Sequence, residues 1–280
     1  MEIAEEAVQF FQKQFMQERD STDHSLLAHV PALINEEENA TLGAIPNSEE
    51  VKNAVFKLNG DSAGGPVGFL ENFINHVGTL LVQTADIVRT VRDFFAANSL
   101  PKSITHTNLV LIPKKSNVQS FSDMRPISLS SFVNKIFSSI IHDRLQDILP
   151  KIISSNQSGF VKGRSIIENV LLTQELISYI SKRGKPSNVV IKLDMAKAYD
   201  RVSCFFLMKI LRKMGFSNKV VDLIWRLITN NYYSVIINGQ PHGFFHSTRG
   251  VKQGDPLFPA LFILSAEVLT RALNLIMASL

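Results

Sequence analysis

The segment Val189-Val190-Ile191-Lys192-Leu193-Asp194-Met195-Ala196-Lys197-Ala198-Tyr199-Asp200-Arg201-Val202 constrains the fold most tightly. Val189 to Leu193 is rich in β-branched residues and is bounded upstream by Gly184 and Pro186. That pattern predicts a short buried strand. The strand would end on Asp194, placing a carboxylate where the chain leaves the core. Mg²⁺ prefers hard oxygen ligands and is usually held by one or two carboxylates plus substrate phosphates. An Asp at a strand end also serves simply to cap turn amides. A second segment, Arg249-Gly250-Val251-Lys252-Gln253-Gly254-Asp255-Pro256-Leu257, shifts the balance towards chemistry. Gly254 lets the backbone approach a ligand closely. The Gln253 amide offers a donor and an acceptor to a base or sugar edge.

Charge is distributed unevenly along the 280 residues. The first 100 carry 6 Lys and Arg against 15 Asp and Glu, a balance of −9. Residues 101–280 carry 23 against 10, a balance of +13. A basic body behind an acidic front suggests a polyanionic partner for the body. Cys204 is the single cysteine, so the chain holds neither an internal disulfide nor a Cys-based zinc site. Met1 is followed by Glu2, Glu5 and Glu6, the wrong start for a secretory or mitochondrial signal, so an intracellular place, nucleus or cytoplasm, is expected. The apolar stretch Leu257 to Leu280 contains Glu267 and Arg271 and is expected to be a buried helix, with no membrane partner.

Periodicity outlines the remaining elements. Residues 1–19 carry Val8, Phe11, Phe15 and Met16 at helical stripe spacing. Residues 20–46 are polar and weakly periodic, which predicts a loop or linker. Asn47 is placed to cap a helix from Ser48, with Glu50 three residues on. Residues 59–68 are too rich in Gly and Pro for a helix, and a helical pattern follows from Phe69 to about Ala97. Thr107 to Ile112 is a strand candidate closed by Pro113. Helices are expected over Ser128–Leu149, Ser165–Ser181, Cys204–Met214, Asn218–Thr229 and Leu257–Met277. Asn238-Gly239 predicts a hairpin after Tyr232–Ile237, with His246–Thr248 as the returning strand. The class is α/β (α+β), helix-rich with a small mixed or antiparallel sheet.

Lys114, Lys115 and Arg125 sit at strand and turn ends, where cations grip phosphate, Arg as a bidentate fork. Lys162 and Arg164 flank a glycine turn. Five segments now carry a resemblance: Leu111-Ile112-Pro113-Lys114-Lys115, Arg125-Pro126-Ile127-Ser128-Leu129, Asn156 to Arg164, Lys192 to Val202, and Arg249 to Leu257. In this order and spacing the chain resembles the reverse transcriptase of LINE-type, non-LTR retrotransposons in the form abundant in plants. The resemblance implies a right-hand polymerase that copies an RNA template from a DNA primer using deoxynucleotide triphosphates. Fingers would span about 48–185 and a partial palm about 186–280, behind an N-terminal helix and linker over 1–47. It implies Asp194 as catalytic metal ligand for Mg²⁺, with Mn²⁺ as substitute. It implies Tyr199 as the aromatic that screens the sugar 2′-position. Lys114 or Lys115 and Arg125 would meet the triphosphate, Gln253 and Gly254 the nucleotide and template, and Lys162 and Arg164 the nucleotide or template. Asp200 would be a structural or pairing residue, with Arg201 as a candidate partner.

The family's second metal motif, Ala-Asp-Asp on a palm hairpin, is expected after the Gln253-Gly254 segment, and no Asp follows Asp255. The early loop reads Gly64-Gly65-Pro66-Val67-Gly68 without the family's Asp, and Phe258 stands where Ser is common. Two-metal catalysis needs several carboxylates around the ions. The expectation is therefore a polymerase by family whose 280-residue chain is inactive alone. The alternative is a noncatalytic RNA- or DNA-binding remnant or splicing-type relative.

Overall fold

A computed structural model describes residues 2–16, 25–58, 85–98, 101–180, 190–195 and 197–278. Within these, four strands form one mixed sheet in the order β2-β1-β3-β4. β1 (His106–Pro113) pairs antiparallel with β2 (Met124–Ser130) and parallel with β3 (Tyr232–Ile237). β3 pairs antiparallel with β4 (Gln240–His246) through the two-residue turn Asn238-Gly239, both at positive φ (49° and 77°). That conformation suits the twist of a hairpin and is cheapest for Asn-Gly.

One sheet face is covered by α1 (Glu2–Phe15). Ala7, Phe11 and Phe15 bury themselves against Leu109, Tyr233, Val235 and Phe245, with Phe15 stacked on Tyr233 at 5.2 Å. The apolar stripe of α1 thus finds its partners on strands far along the chain, Leu109 on β1 and Tyr233, Val235 and Phe245 on β3 and β4. The larger core joins α3 (Ser48–Lys57), α4 (Ala85–Phe95), α6 (Phe132–Gln146), α10 (Cys204–Met214), α11 (Asn218–Thr229) and the first half of α12 (Phe258–Ala278). Phe94 stacks on Phe137 at 4.3 Å inside it. α12 is long and apolar enough to cross a membrane by length and composition. Its Phe258, Leu261, Leu264 and Val268 are nevertheless buried in the core, and its buried Glu267 accepts from Ser154 and pairs with Arg271.

Arg144 pins the front of the chain to this core. Its guanidinium pairs with Glu50 at 2.7 Å and donates to the carbonyls of Leu42 and Ala44. Residues 20–46, expected to be a loop or linker, hold a 3-10 turn (Ser25–His29) and α2 (Glu36–Gly43). α2 has almost no apolar periodicity and forms by end chemistry instead. Asn35 and Glu38 make a reciprocal capping box, and three glutamates occupy the first turn.

Three further expectations change. Residues 128–130 belong to β2, so the helix begins at Phe132, after the Ser131 cap. The strand returning to β3 is Gln240–His246 rather than His246–Thr248. Most consequentially, Val190–Leu193 is not a buried strand: residues 190–195 are irregular and exposed, Ile191 at 77%. A strand needs a hydrogen-bonded neighbour to be stable, and no described residue pairs with this one. The glycine-rich loop at 59–68, the start of the helix expected from Phe69, and Val189 lie outside the described residues. The remaining short helices are α5 (Lys102–Thr105), α7 (Leu149–Ile152) and α9 (Ala198–Arg201); α8 (Ile166–Ile180) has no buried residue.

Candidate functional site

A cleft of about 200 Å³ is lined by Lys114, Arg125, Pro126, Lys197, Ala198, Tyr199, Asp200 and Gln253. Four residues singled out by sequence, Lys114, Arg125, Tyr199 and Gln253, therefore converge from separate segments. Backbone bonds explain the convergence. The amide of Val251 donates to the Tyr199 carbonyl and that of Gly250 to the Val202 carbonyl, both at 2.8 Å. The Ser128 amide donates to the Gln253 carbonyl at 3.1 Å. The Gln253 loop is thereby clamped between β2 and the single turn of α9. Gly254 sits at φ 102°, a left-handed conformation that favours glycine, with Ser128 and Ile127 close by.

A buried polar clasp holds this loop from beneath. The Lys252 ammonium donates to Asn134 of α6 at 3.3 Å, and Asp255 accepts from Ser138 of α6 at 3.0 Å. Burial pulls Lys252 down to about 8 and pushes Asp255 up to about 6, each partly offset by the other's charge.

Within the cleft, Tyr199 is half-buried and its ring stacks on Phe262 of α12 at 5.1 Å. Lys114 donates to the Ser122 carbonyl at 3.0 Å. Lys197 adopts φ 54° at the cap of α9, donates to Gln14 at 2.7 Å and lies over the Phe10 ring. Burial, then the neighbouring Lys114 charge, pulls its ammonium below the usual lysine value. Asp200 is 8% exposed and accepts from Gln14, not from Arg201 as expected. Its burial raises the carboxyl above its ordinary value, against the pull of Lys197, Lys114 and Arg249. With its one carboxylate turned to Gln14, the cleft presents Lys114, Arg125 and Lys197 as an anion-attracting set. Lys197 is the cleft cation that sequence reasoning missed, while Asp200, read there as structural, also lines the cleft. Nothing in a lysine at a helix start separates it from a solvated charge until Gln14 of α1 is seen beside it.

The other candidates stand elsewhere. Lys115 pairs with Asp123 at 2.9 Å and holds that carboxyl below its usual range. Lys162 pairs with Asp147 on the surface. Arg164 donates to the carbonyls of Pro150, Ile153, Ser154 and Gln157, so it braces its own turn and does not join the cleft. Asp194 is exposed on the irregular segment and does not line the cleft. Among the described residues no three His, Cys, Asp or Glu gather in metal-holding geometry. The described arrangement therefore does not fit a two-metal cage.

The family model for reverse transcriptase (RNA-dependent DNA polymerase) matches residues 112–278, which include every cleft residue. The chain is 32% identical over 182 residues to the transposon TX1 uncharacterized 149 kDa protein of Xenopus laevis, covering 65% of this chain and 14% of that one. It is 29% identical over 188 residues to the Pol polyprotein of a type-1 R2 retrotransposable element of Popillia japonica, 65% of this chain and 26% of the other. The R2DM element of Drosophila melanogaster gives 29% over 192 residues, 69% and 18%. The chain thus spans about a quarter or less of the length of these relatives.

Proposed function

The chain belongs to the reverse transcriptase (RNA-dependent DNA polymerase) family, and from that premise we propose that its cleft receives the triphosphate and sugar of an incoming deoxynucleotide. The supporting observation is the convergence of Lys114, Arg125, Lys197, Tyr199 and Gln253 on one small volume. Lys114, Lys197 and the Arg125 fork hold the phosphates, Arg bidentately. The Tyr199 ring, braced by Phe262, stands against the sugar and screens its 2′-position. Gln253, clamped to β2, meets the base or template edge. The substrates in this reading are an RNA template, a DNA primer and deoxynucleotide triphosphates, with fingers over about 48–185 and a partial palm over about 186–280.

Reverse transcriptases use divalent metal ions, which neutralise charge developing on the transferred phosphoryl group. Mg²⁺, with Asp194 as a ligand, is the ion proposed from the family resemblance and the preference of Mg²⁺ for carboxylate oxygen, while Asp194 itself stands outside the described cleft. The chain's own contribution is to bind and orient the nucleotide, and no step is assigned to the ion. Photo-crosslinking an azido-deoxynucleotide triphosphate should label peptides containing Arg125, Tyr199 or Gln253. Labelling confined to other peptides contradicts the assignment.

A second reading, a binding module without chemistry, is favoured by the scattered carboxylates among the described residues. It predicts that the 280-residue chain binds RNA in a salt-dependent way yet extends no primer with Mg²⁺. Template-dependent synthesis lost in Asp194→Ala would exclude that reading.

A further inference from the structure

We propose that the sheet face opposite α1 is a stacking platform for an unpaired RNA strand. This rests on the reading of the chain as a protein that handles an RNA template, and it names a second surface on which that template lies.

Strand alternation divides the sheet. Leu109, Tyr233, Val235 and Phe245 face α1. His106, Tyr232, Phe244 and His246 fall on the other face, where His106 is paired with Tyr232 and Tyr232 with His246. There the rings form a continuous group. Tyr232 and Phe244 stack at 4.8 Å with planes 7° apart. His106 meets Phe244 edge-on at 5.2 Å, and His246 meets Tyr232 edge-on at 5.5 Å. Lys102 places its ammonium 4.9 Å from the centre of the Tyr232 ring.

The rings are held rather than loose. Ser234 donates its hydroxyl to the Gly243 carbonyl at 2.6 Å, so the His106 Nε2 at 2.9 Å donates to Ser234. His246 Nε2 donates to the Thr229 carbonyl. Phe244 nonetheless leaves 54% of its surface to solvent. An exposed Phe244 ring backed by the parallel Tyr232 ring, whose own centre lies 4.9 Å from the Lys102 ammonium, matches the needs of a base and its phosphate. Charge complementarity favours a polyanion over an apolar peptide, since residues 101–280 carry a balance of +13 (23 Lys and Arg against 10 Asp and Glu).

The platform is also connected to the cleft. Ile112 shares the parity of His106 on β1, and its partner across the sheet is Arg125 of the cleft. Six residues of strand separate His106 from Ile112, about 20 Å. A strand of a few nucleotides stacked at Phe244 therefore runs along one face towards Arg125.

The test titrates the full chain against fluorescein-labelled dodecauridylate at fixed salt, reading anisotropy. Phe244→Ala is expected to weaken binding about tenfold or more, the range for loss of one stacking ring. Phe244→Trp is expected to keep affinity and show ring fluorescence quenched by the RNA beyond the wild-type signal. Neither variant should alter deoxynucleotide triphosphate binding, which depends on Lys114 and Arg125. Loss of triphosphate binding in Lys114→Ala thus reports on the cleft, and loss of RNA binding in Phe244→Ala on the platform. A folded Phe244→Ala chain with unchanged RNA affinity overturns the proposal. So does equal competition by duplex RNA, or binding of dodecathymidylate without binding of dodecauridylate.

Discussion

The Arg164 guanidinium gives hydrogen bonds to four backbone carbonyls, those of Pro150 in α7, Ile153 at its end, and Ser154 and Gln157 in the turn that follows. Truncation would orphan these carbonyls, and Arg164→Ala should cost about 2 kcal/mol in urea unfolding. Its triphosphate affinity, measured on the folded fraction, should stay at the wild-type value. A loss of affinity without loss of stability would return Arg164 to the binding residues. Asp255 supports a second prediction, in pH. Its folded carboxyl is pushed up to about 6 from an ordinary 3.8 by burial. A raised folded value means stability fully present below 3.8 and lost as pH rises through about 6. Asp255→Asn cannot titrate, so its stability relative to wild type should fall as pH drops from 7 to 4. A pH-independent difference would contradict the burial seen here. In both residues the sequence showed a charge but not its surroundings. Whether an Arg meets phosphate or carbonyl depends on where the turn at 154–164 closes.

At the level of elements, short helices in the front section stand on their caps. Asn47 accepts from the Glu50 amide at 2.8 Å, and Asn47→Ala should lower thermal stability by about 1 kcal/mol. No change would mean that the Glu50–Arg144 pair alone fixes α3. Elements with clear periodicity, α10, α11 and the first half of α12, were legible because one face must be buried wherever the fold places it, whereas α6 was legible from its apolar content and is buried on all sides over residues 134–141. The Asn238-Gly239 hairpin was legible because its turn requires positive φ. α2 escaped notice because capping, not periodicity, makes it. The expected strand ending at Leu193 failed for the converse reason. Its composition suits a sheet, but a strand's stability lies in its neighbour, and neighbours are not written in the strand.

For the whole molecule, one sheet serves two purposes. β1 and β2 end at the cleft, and the opposite end of the same sheet carries the aromatic face of Tyr232 and Phe244. Cleft residues taken from the family resemblance, Lys114, Arg125, Tyr199 and Gln253, do come together. Lys197, and the partner of Asp200, became visible only through Gln14 of α1, which lies 183 residues from Lys197 and 186 from Asp200. Such long-range partners are fixed by topology, which no local pattern encodes. The central claim is that this convergence makes a triphosphate site. Calorimetric titration of the chain with a deoxynucleotide triphosphate in Mg²⁺ tests it most directly. Lys114→Ala/Arg125→Ala should weaken binding by at least tenfold, about 1.4 kcal/mol, while Lys162→Ala leaves it unchanged. Equal affinity in the double variant and the wild type would contradict the account.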